Sequence, residues 1–330
     1  MSTIPTTFSS LWKGTLPPYT AVGGTGRAAS TGLSAVLLNR GGRYPRRTLF
    51  QKLETAGFDY ILSLEGPQER YDLEDLSGRF PFVRFILLKE TISAGEAVNL
   101  AAAELSSPLF FVLWNDHRLF DGLGAARIAE LFTGKRLCTA PVVQNSRFET
   151  LPTLTSPVFY RGSIKTIPEI PDRENQVTLF PYDWLGVYDR ERFIRLGGFD
   201  RAIPHPHWQL MDFGFRSCLW GEEIRSTQVI RLIHDGPPPP VEGPSEDSYR
   251  LFYLKNLAPV FRLDHAHIPL RRFPGHLART GWDLLTAGVE FFRERRWVQE
   301  NRSRFRRDAR EVTDLWEHEP RSGEVPGEGP

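Results

Sequence analysis

The apolar run Leu109-Phe110-Phe111-Val112-Leu113-Trp114 leads straight into the polar tip Asn115-Asp116-His117. A carboxylate at the end of a strand is a ligand for a divalent cation, and such an ion neutralises charge that builds on a leaving diphosphate. Asp116 is the candidate ligand. His234 ends a second strand-like run, Val229-Ile230-Arg231-Leu232-Ile233, and a neutral imidazole joining the carboxylate suits Mn2+ or another borderline cation better than Ca2+. Asp212 and Arg216 sit one helical turn apart in the helix-like segment 211–221. An attacking hydroxyl has a pKa far above neutrality, so a carboxylate must accept its proton, and Asp212 is the candidate base. Arg216 shares its helix face and could fix it or meet an anionic group.

Short apolar runs at residues 35–38, 60–64, 82–88 and 109–114 begin roughly 20 to 27 residues apart, a spacing that predicts βαβ units. Leu49, Phe50 and Leu53 at helical spacing before Gly57, and the Ala- and Glu-rich stretch 94–105, supply the intervening helices. A doubly wound α/β sheet follows, parallel and with right-handed crossovers. Ligands bind such sheets outside the carboxyl ends of the strands, which directs attention to Asn39, Arg40, Glu65, Lys89, Glu90 and residues 115–117.

The 330 residues are 40% hydrophobic and 25% charged, the composition of a globular chain rather than a disordered or fibrous one. Forty-one basic against forty acidic residues leave a net charge of +1, and no nucleic-acid partner is expected from so balanced a chain. Two cysteines, Cys138 and Cys218, suit a reducing compartment, and no apolar run reaches the length of a membrane span, so a cytoplasmic location is expected. Residues 1–31, rich in Ser, Thr, Gly and Pro, read as a mobile arm, with Gly23, Gly24 and Gly26 as linker. Residues 139–180 read as a long loop over the sheet, and the prolines at 237–240 as a boundary. Beyond them, residues 250–310 hold fourteen basic and six acidic side chains, with Phe291, Phe292, Trp297 and Phe305 among the arginines. Trp and Phe at the acyl boundary with Arg at the head groups would make this segment a peripheral contact with an anionic membrane face.

Taken in order, these pieces resemble the family 2 glycosyltransferases of the GT-A fold over residues 33–234. Ala35-Val36-Leu37-Leu38-Asn39 resembles the opening strand whose tip meets the nucleotide, and Glu65-Gly66 stands where an Asp usually bonds the base. Ser93-Ala94-Gly95-Glu96-Ala97-Val98-Asn99 resembles the stretch that lies along the donor, and Trp114-Asn115-Asp116 the Asp-x-Asp motif. Gly197-Gly198-Phe199-Asp200 followed by Asp212-Phe213-Gly214-Phe215-Arg216 resembles the paired acceptor-side motifs, and His234 the late His near the metal.

The resemblance implies a Rossmann-like mixed sheet, α/β GT-A at residues 32–236, with a basic helical extension at 237–318 and a tail at 319–330. It implies inverting transfer of a sugar from a UDP- or GDP-linked donor to a hydroxyl of a cell-surface glycan or glycolipid, helped by Mn2+ or Mg2+. Asn39, Arg40, Glu65, Asn99, Asn115 and Asp116 would line the donor; Asp183, Trp184, Gly198, Asp200 and Arg216 the acceptor side; Asp116 and His234 the metal. The sequence departs from the pattern at three places. Trp114 replaces the first Asp of the motif, with Asn115 and His117 as substitute donors, Gln209-Leu210 replaces the acidic pair that carries the family's base, and Glu65 replaces Asp. A nucleotidyltransferase, to which Arg40-Gly41-Gly42-Arg43 bears a faint likeness, and a non-catalytic nucleotide-sugar-binding or scaffold protein are the alternatives.

Overall fold

A computed structural model describes residues 16–24, 31–40, 46–67, 72–120, 122–132, 136–160, 163–236 and 245–317. Its centre is built from β2 (Leu33–Leu38), β3 (Ile61–Glu65), β4 (Val83–Leu88) and β5 (Leu109–Trp114), parallel neighbours in the order β4-β3-β2-β5, with β1 (Tyr19–Gly23) antiparallel on the outside of β4. Every residue of β2 and β3 is buried, as expected of parallel strands covered on both faces, which is why these runs are continuously apolar rather than alternating. The covering helices α1 (Arg46–Ala56), α2 (Leu73–Arg79) and α3 (Ala94–Glu104) supply the crossovers. α3 opens with a capping box in which Ser93 and Glu96 satisfy each other's backbone N–H groups.

On the other side of β5 the sheet changes direction. The chain passes through β6 (His117–Leu119), α4 (Ala125–Glu130), β7 (Arg136–Asn145), the hairpin β8 (Leu154–Tyr160) and β9 (Ser163–Glu169), then β10 (Gly186–Asp189), α5 (Arg190–Leu196), α6 (Pro206–Leu219) and β11 (Glu223–His234). β10 runs antiparallel between β5 and β7, β11 runs parallel to β7, and β6 closes the edge, giving one nine-stranded sheet ordered β1-β4-β3-β2-β5-β10-β7-β11-β6.

Two expectations are corrected here. Residues 19–23 are not arm but an edge strand, fixed by Tyr19 pairing with Leu88 and by the Tyr19 hydroxyl donating to Glu104 at 2.5 Å. Residues 139–180 are not one loop: β7 lies inside the sheet with residues 137–143 buried, and Pro141 within it hid the strand by breaking its apolar run. The sheet is consequently mixed, as the GT-A resemblance implied, rather than wholly parallel.

The C-terminal extension contains α7 (Glu246–Phe252), the ribbon β12 (Val260–Arg262) and β13 (His265–His267), α8 (Phe273–Arg279), α9 (Leu284–Glu300) and α10 (Ala309–Glu317). It packs on α6: Trp208 stacks on Phe252 at 5.3 Å, Trp220 stacks on Trp297 at 5.9 Å, and the Arg306 N–H donates to the Leu219 carbonyl at 2.7 Å. Phe291 and Phe305 are buried. Of the four aromatics expected to face a membrane, three therefore serve the core, and only Phe292 points outward. The spacer at 237–240 and the tail at 319–330 lie outside the described residues, as does most of the N-terminal arm.

Gly214 in α6 shows how closely this layer packs: a Cβ there would meet the Leu179 carbonyl oxygen at 2.4 Å, whereas a Cβ on Gly288 in α9 would meet nothing within 4 Å. We expect Gly214→Ala to lower stability by about 2–3 kcal/mol and Gly288→Ala to raise it by about 0.5–1 kcal/mol, both read from urea denaturation.

Candidate active site at the strand ends

β5 ends at Trp114, Asn115 and Asp116 form the turn, and His117 opens the return strand β6. β6 then pairs with the last three residues of β11, which lays His234 directly opposite His117. The Asp235 N–H donates to the Asp116 carbonyl at 2.9 Å and locks the junction. His117 Nδ1 lies 2.8 Å from Asp116 Oδ1, His117 Nε2 lies 3.3 Å from His234 Nδ1, and the two imidazole centroids are 4.8 Å apart. Ligand atoms of all three buried residues fall within 4.8 Å of one another.

Arg40, just past β2, completes the cluster. Its Nε lies 3.3 Å from Asp116 Oδ2, an Nη hydrogen-bonds the Asp183 carboxylate, and its guanidinium lies 3.9 Å over the Trp114 ring. Asn115 fixes residue 40 from both sides, accepting from the Arg40 N–H at 3.1 Å and donating to its carbonyl at 3.3 Å. Asp183 and Trp184 are both left-handed, with φ of 52° and 61°, a conformation that costs a non-glycine residue about 1–3 kcal/mol and gathers at ligand sites. The Trp114 indole N–H holds this turn by donating to the Asp183 carbonyl at 2.9 Å.

Burial opposes the Asp116 charge, but the hydrogen bond from His117 and the Arg40 guanidinium prevail and keep its pKa below the ordinary carboxylate value. Burial pushes the His117 imidazole the other way, toward its neutral, metal-binding form, against the pull of Asp116. Asp183 is pushed up to about 6 by burial, with Arg40 pulling against the shift. Beside the cluster, a cavity of about 240 Å³ opens at the carboxyl ends of the parallel strands, lined by Leu38, Asn39, Leu64, Leu88, Ile92 and Trp114. Asn39 is anchored there by donating to the Leu64 carbonyl at 2.8 Å.

The remaining expected site residues brace the fold instead. Glu65 is wholly buried, with Oε2 2.6 Å from Arg46 Nη1 and Oε1 accepting from Ser63 at 2.6 Å. Asn99 spends its amide on the Phe199 N–H and carbonyl at 2.8 and 2.7 Å. It clasps the turn at Gly198, where a Cβ would strike Asn99 Oδ1 at 2.2 Å, so Asn99 holds the loop. Asp200 is paired with the buried Lys255, which lies 4.3 Å over Trp297, and this ties the turn to the extension.

Asp212 is fully buried, and both its oxygens are engaged: Oδ2 by Arg216 Nη2 at 2.6 Å, Oδ1 by the Asn256 amide at 2.8 Å. Arg216 also donates to the Leu196 and Gly198 carbonyls at 2.8 Å each. Among the described residues both Asp212 oxygens and the Arg216 guanidinium are thus taken up by bonds within the protein. Gln209, at the position of the family's acidic pair, is buried and caps Gly95 and the Asp200 carbonyl. Of the expected residues, the structure thus gathers Asn39, Arg40, Asn115, Asp116, Asp183, Trp184 and His234. His117 was legible only as a substitute donor; its signal was the alternation His117-Arg118-Leu119, which puts it on the buried face with Leu119.

No protein-family model matches the sequence, and no curated protein matches it either. Solved structures do match. The chain aligns with GalNAc-T7 crystallised with UDP, GalNAc and Mn2+ at a TM-score of 0.57 and 13% identity, covering 87% of this chain and 57% of that one. It thus spans little more than half the length of that protein. It is also similar to residues 1–349 of S. aureus TarS in complex with UDP, with a TM-score of 0.46, 12% identity, and coverage of 82% and 90%. The fold is that of the GT-A glycosyltransferases: a large mixed sheet, most strands running one way, covered by helices.

The bracing role of Asp212 is separable from catalysis by stability alone. Asp212→Asn should lower the unfolding free energy by about 3 kcal/mol in urea titration, because it strands a buried guanidinium. A carboxylate kept only as a base would lose activity with stability unchanged.

Proposed function

We propose that this chain transfers a glycosyl group from a nucleotide-diphospho-sugar to a hydroxyl acceptor, with a divalent cation held by Asp116, His117 and His234. The observation that carries this reading is Asp116 Oδ2, which is buried among two imidazoles and makes no hydrogen bond among the described residues. An unsatisfied buried acceptor costs about 1–3 kcal/mol, while Glu65 and Asp212 have both oxygens bonded. The donor set fits a cation, and one carboxylate with two imidazoles suits Mn2+ better than Mg2+. When bound, such an ion offsets the charge that develops on the diphosphate as the sugar leaves.

The chain's own groups do the rest. The cavity between Leu38, Leu64 and Trp114 accepts the nucleoside, and Arg40, oriented by Trp114 and Asn115, presents a planar fork to diphosphate oxygens. With Asp212 closed off and an amide at Gln209, Asp183 is the carboxylate at this site that takes the acceptor proton in an inverting displacement. Its pKa of about 6 lies close to a working pH, where a general base is most effective. A glycan or glycolipid hydroxyl is the acceptor class, and GalNAc-T7, with UDP and Mn2+ in its crystal structure, supports the donor and metal classes.

A non-catalytic donor-binding protein is the second reading, favoured by the buried Gln209 where an acidic pair would carry the base. The nucleotidyltransferase alternative rests on Arg40-Gly41-Gly42-Arg43, of which Gly41, Gly42 and Arg43 lie outside the described residues.

Thermal unfolding with a panel of UDP- and GDP-sugars should show a higher Tm with one donor plus Mn2+, worth about 2.7 kcal/mol at a hundredfold excess over Kd. His117→Ala and His234→Ala should lose the Mn2+-dependent part; no shift with any donor contradicts the reading. Asp183→Asn, which tolerates the same left-handed backbone, should slow transfer by about 10²–10⁴-fold while donor affinity stays within a few-fold. Tight donor binding by the native chain without transfer or donor hydrolysis would favour the non-catalytic reading.

A further inference from the structure

α9 has two apolar faces and uses one. Ala287, Phe291 and Val298 turn inward, while Leu285, Val289 and Phe292, at i, i+4 and i+7, form a second stripe in solvent. Their exposures are 82%, 68% and 56%, and the stripe is extended at its start by Leu284 at 62% and Trp282 at 70%. Trp282 stands at a φ of 68° after Gly281 at 65°, so the backbone carries left-handed strain to hold an indole away from the core. Scattered exposed apolar residues need no explanation, but five in eleven consecutive positions on one helix start do.

The surroundings of the stripe say what covers it. The Phe292 ring lies 6.2 Å from Phe273, and Arg271 and Arg272, immediately before Phe273, are exposed and have no ion-pair partner among the described residues. The same two arginines line a cavity of about 760 Å³ together with Arg279, Arg310, Tyr249 and Tyr253. Arg279 lies 4.2 Å over the Tyr253 ring, and of the two acids there, Asp308 is occupied in capping the N–H groups of Arg310 and Glu311. An apolar stripe with a Trp at its end, bordered by unpaired guanidinium groups and an open basic cavity, is complementary to a surface that is apolar inside and anionic at its phosphates.

We propose that this face docks on an anionic phospholipid bilayer. Trp282, Leu285, Val289 and Phe292 enter the acyl boundary, and Arg271, Arg272 and the cavity behind them take lipid phosphates. The contact is made by residues other than the inward-facing Phe291, Trp297 and Phe305, and it stands whether or not the glycosyl-transfer reading holds. Flotation of the full chain with vesicles of phosphatidylcholine, with and without one third phosphatidylglycerol, tests it. The chain should float with the anionic vesicles, at least tenfold less with the neutral ones, and less as salt rises. Leu285→Ser/Val289→Ser/Phe292→Ser should cut the bound fraction at least tenfold with circular dichroism and Tm unchanged, since all three side chains are exposed. Arg271→Glu/Arg272→Glu should do the same through charge alone. Failure to float with anionic vesicles, or equal flotation of parent and both variants, overturns the proposal. So does a concentration-dependent dimer that the triple substitution dissociates, which would assign the face to a second copy.

Discussion

The antiparallel pairing of His117-Arg118-Leu119 with Leu232-Ile233-His234 joins the end of the parallel half of the sheet to the end of its outer edge. β11 reaches that point because it runs beside β7, with a register shift between Thr227 and Arg231 after which residues 231–234 pair with the last four residues of β7. β10 pairs with β5 only as far as Val112, so Leu113 and Trp114 run on beyond it, and Asp183 and Trp184 fill the space above. Asp116, His117, His234, Arg40 and Asp183 meet in that notch. A slip of one residue in β6 would turn His117 to solvent and dissolve the cluster.

Charge is distributed around this notch in two ways. Below it, the buried carboxylates have both oxygens engaged: Glu65 by Arg46 and Ser63, Asp212 by Arg216 and Asn256, Asp200 by Lys255 and the Ala202 N–H. Each fixes a backbone turn, and the last two hold the Gly197-Gly198 turn and the C-terminal extension to α6. At the notch itself the positive and negative groups are near one another but incompletely bonded, with one Asp116 oxygen and Arg40 Nε lacking hydrogen bonds. Satisfied networks stabilise and specify; unsatisfied ones are where a ligand finds unmet bonds.

Much of this was legible in the sequence, for reasons that differ between elements. β2, β3, β4 and β5 are buried on both faces, so their apolar runs stand out, and the polar tips that follow them are the residues a ligand meets. β7 was not legible because Thr139 and Pro141 interrupt it, and β1 because Tyr19-Thr20-Ala21-Val22-Gly23 has no apolar alternation and lies at an edge. At the site, residue type identified carboxylates but not their partners. Asp212 and Asp116 look alike in sequence, and only tertiary contacts show that one has both oxygens bonded by Arg216 and Asn256 while the other keeps one oxygen without a hydrogen bond. The partner of Glu65 was hidden in the same way, because Arg46 lies in a helix whose sequence signal is its apolar face.

Asp116, His117 and His234 make up the proposed cation site at the end of β5. Electron paramagnetic resonance of free Mn2+ during titration with the full chain measures this without any assumption about donor or acceptor. The account predicts depletion of free Mn2+ to one ion per chain, abolished by Asp116→Asn with the fold intact. Free Mn2+ unaffected by the native chain, or depleted equally by Asp116→Asn, would contradict it.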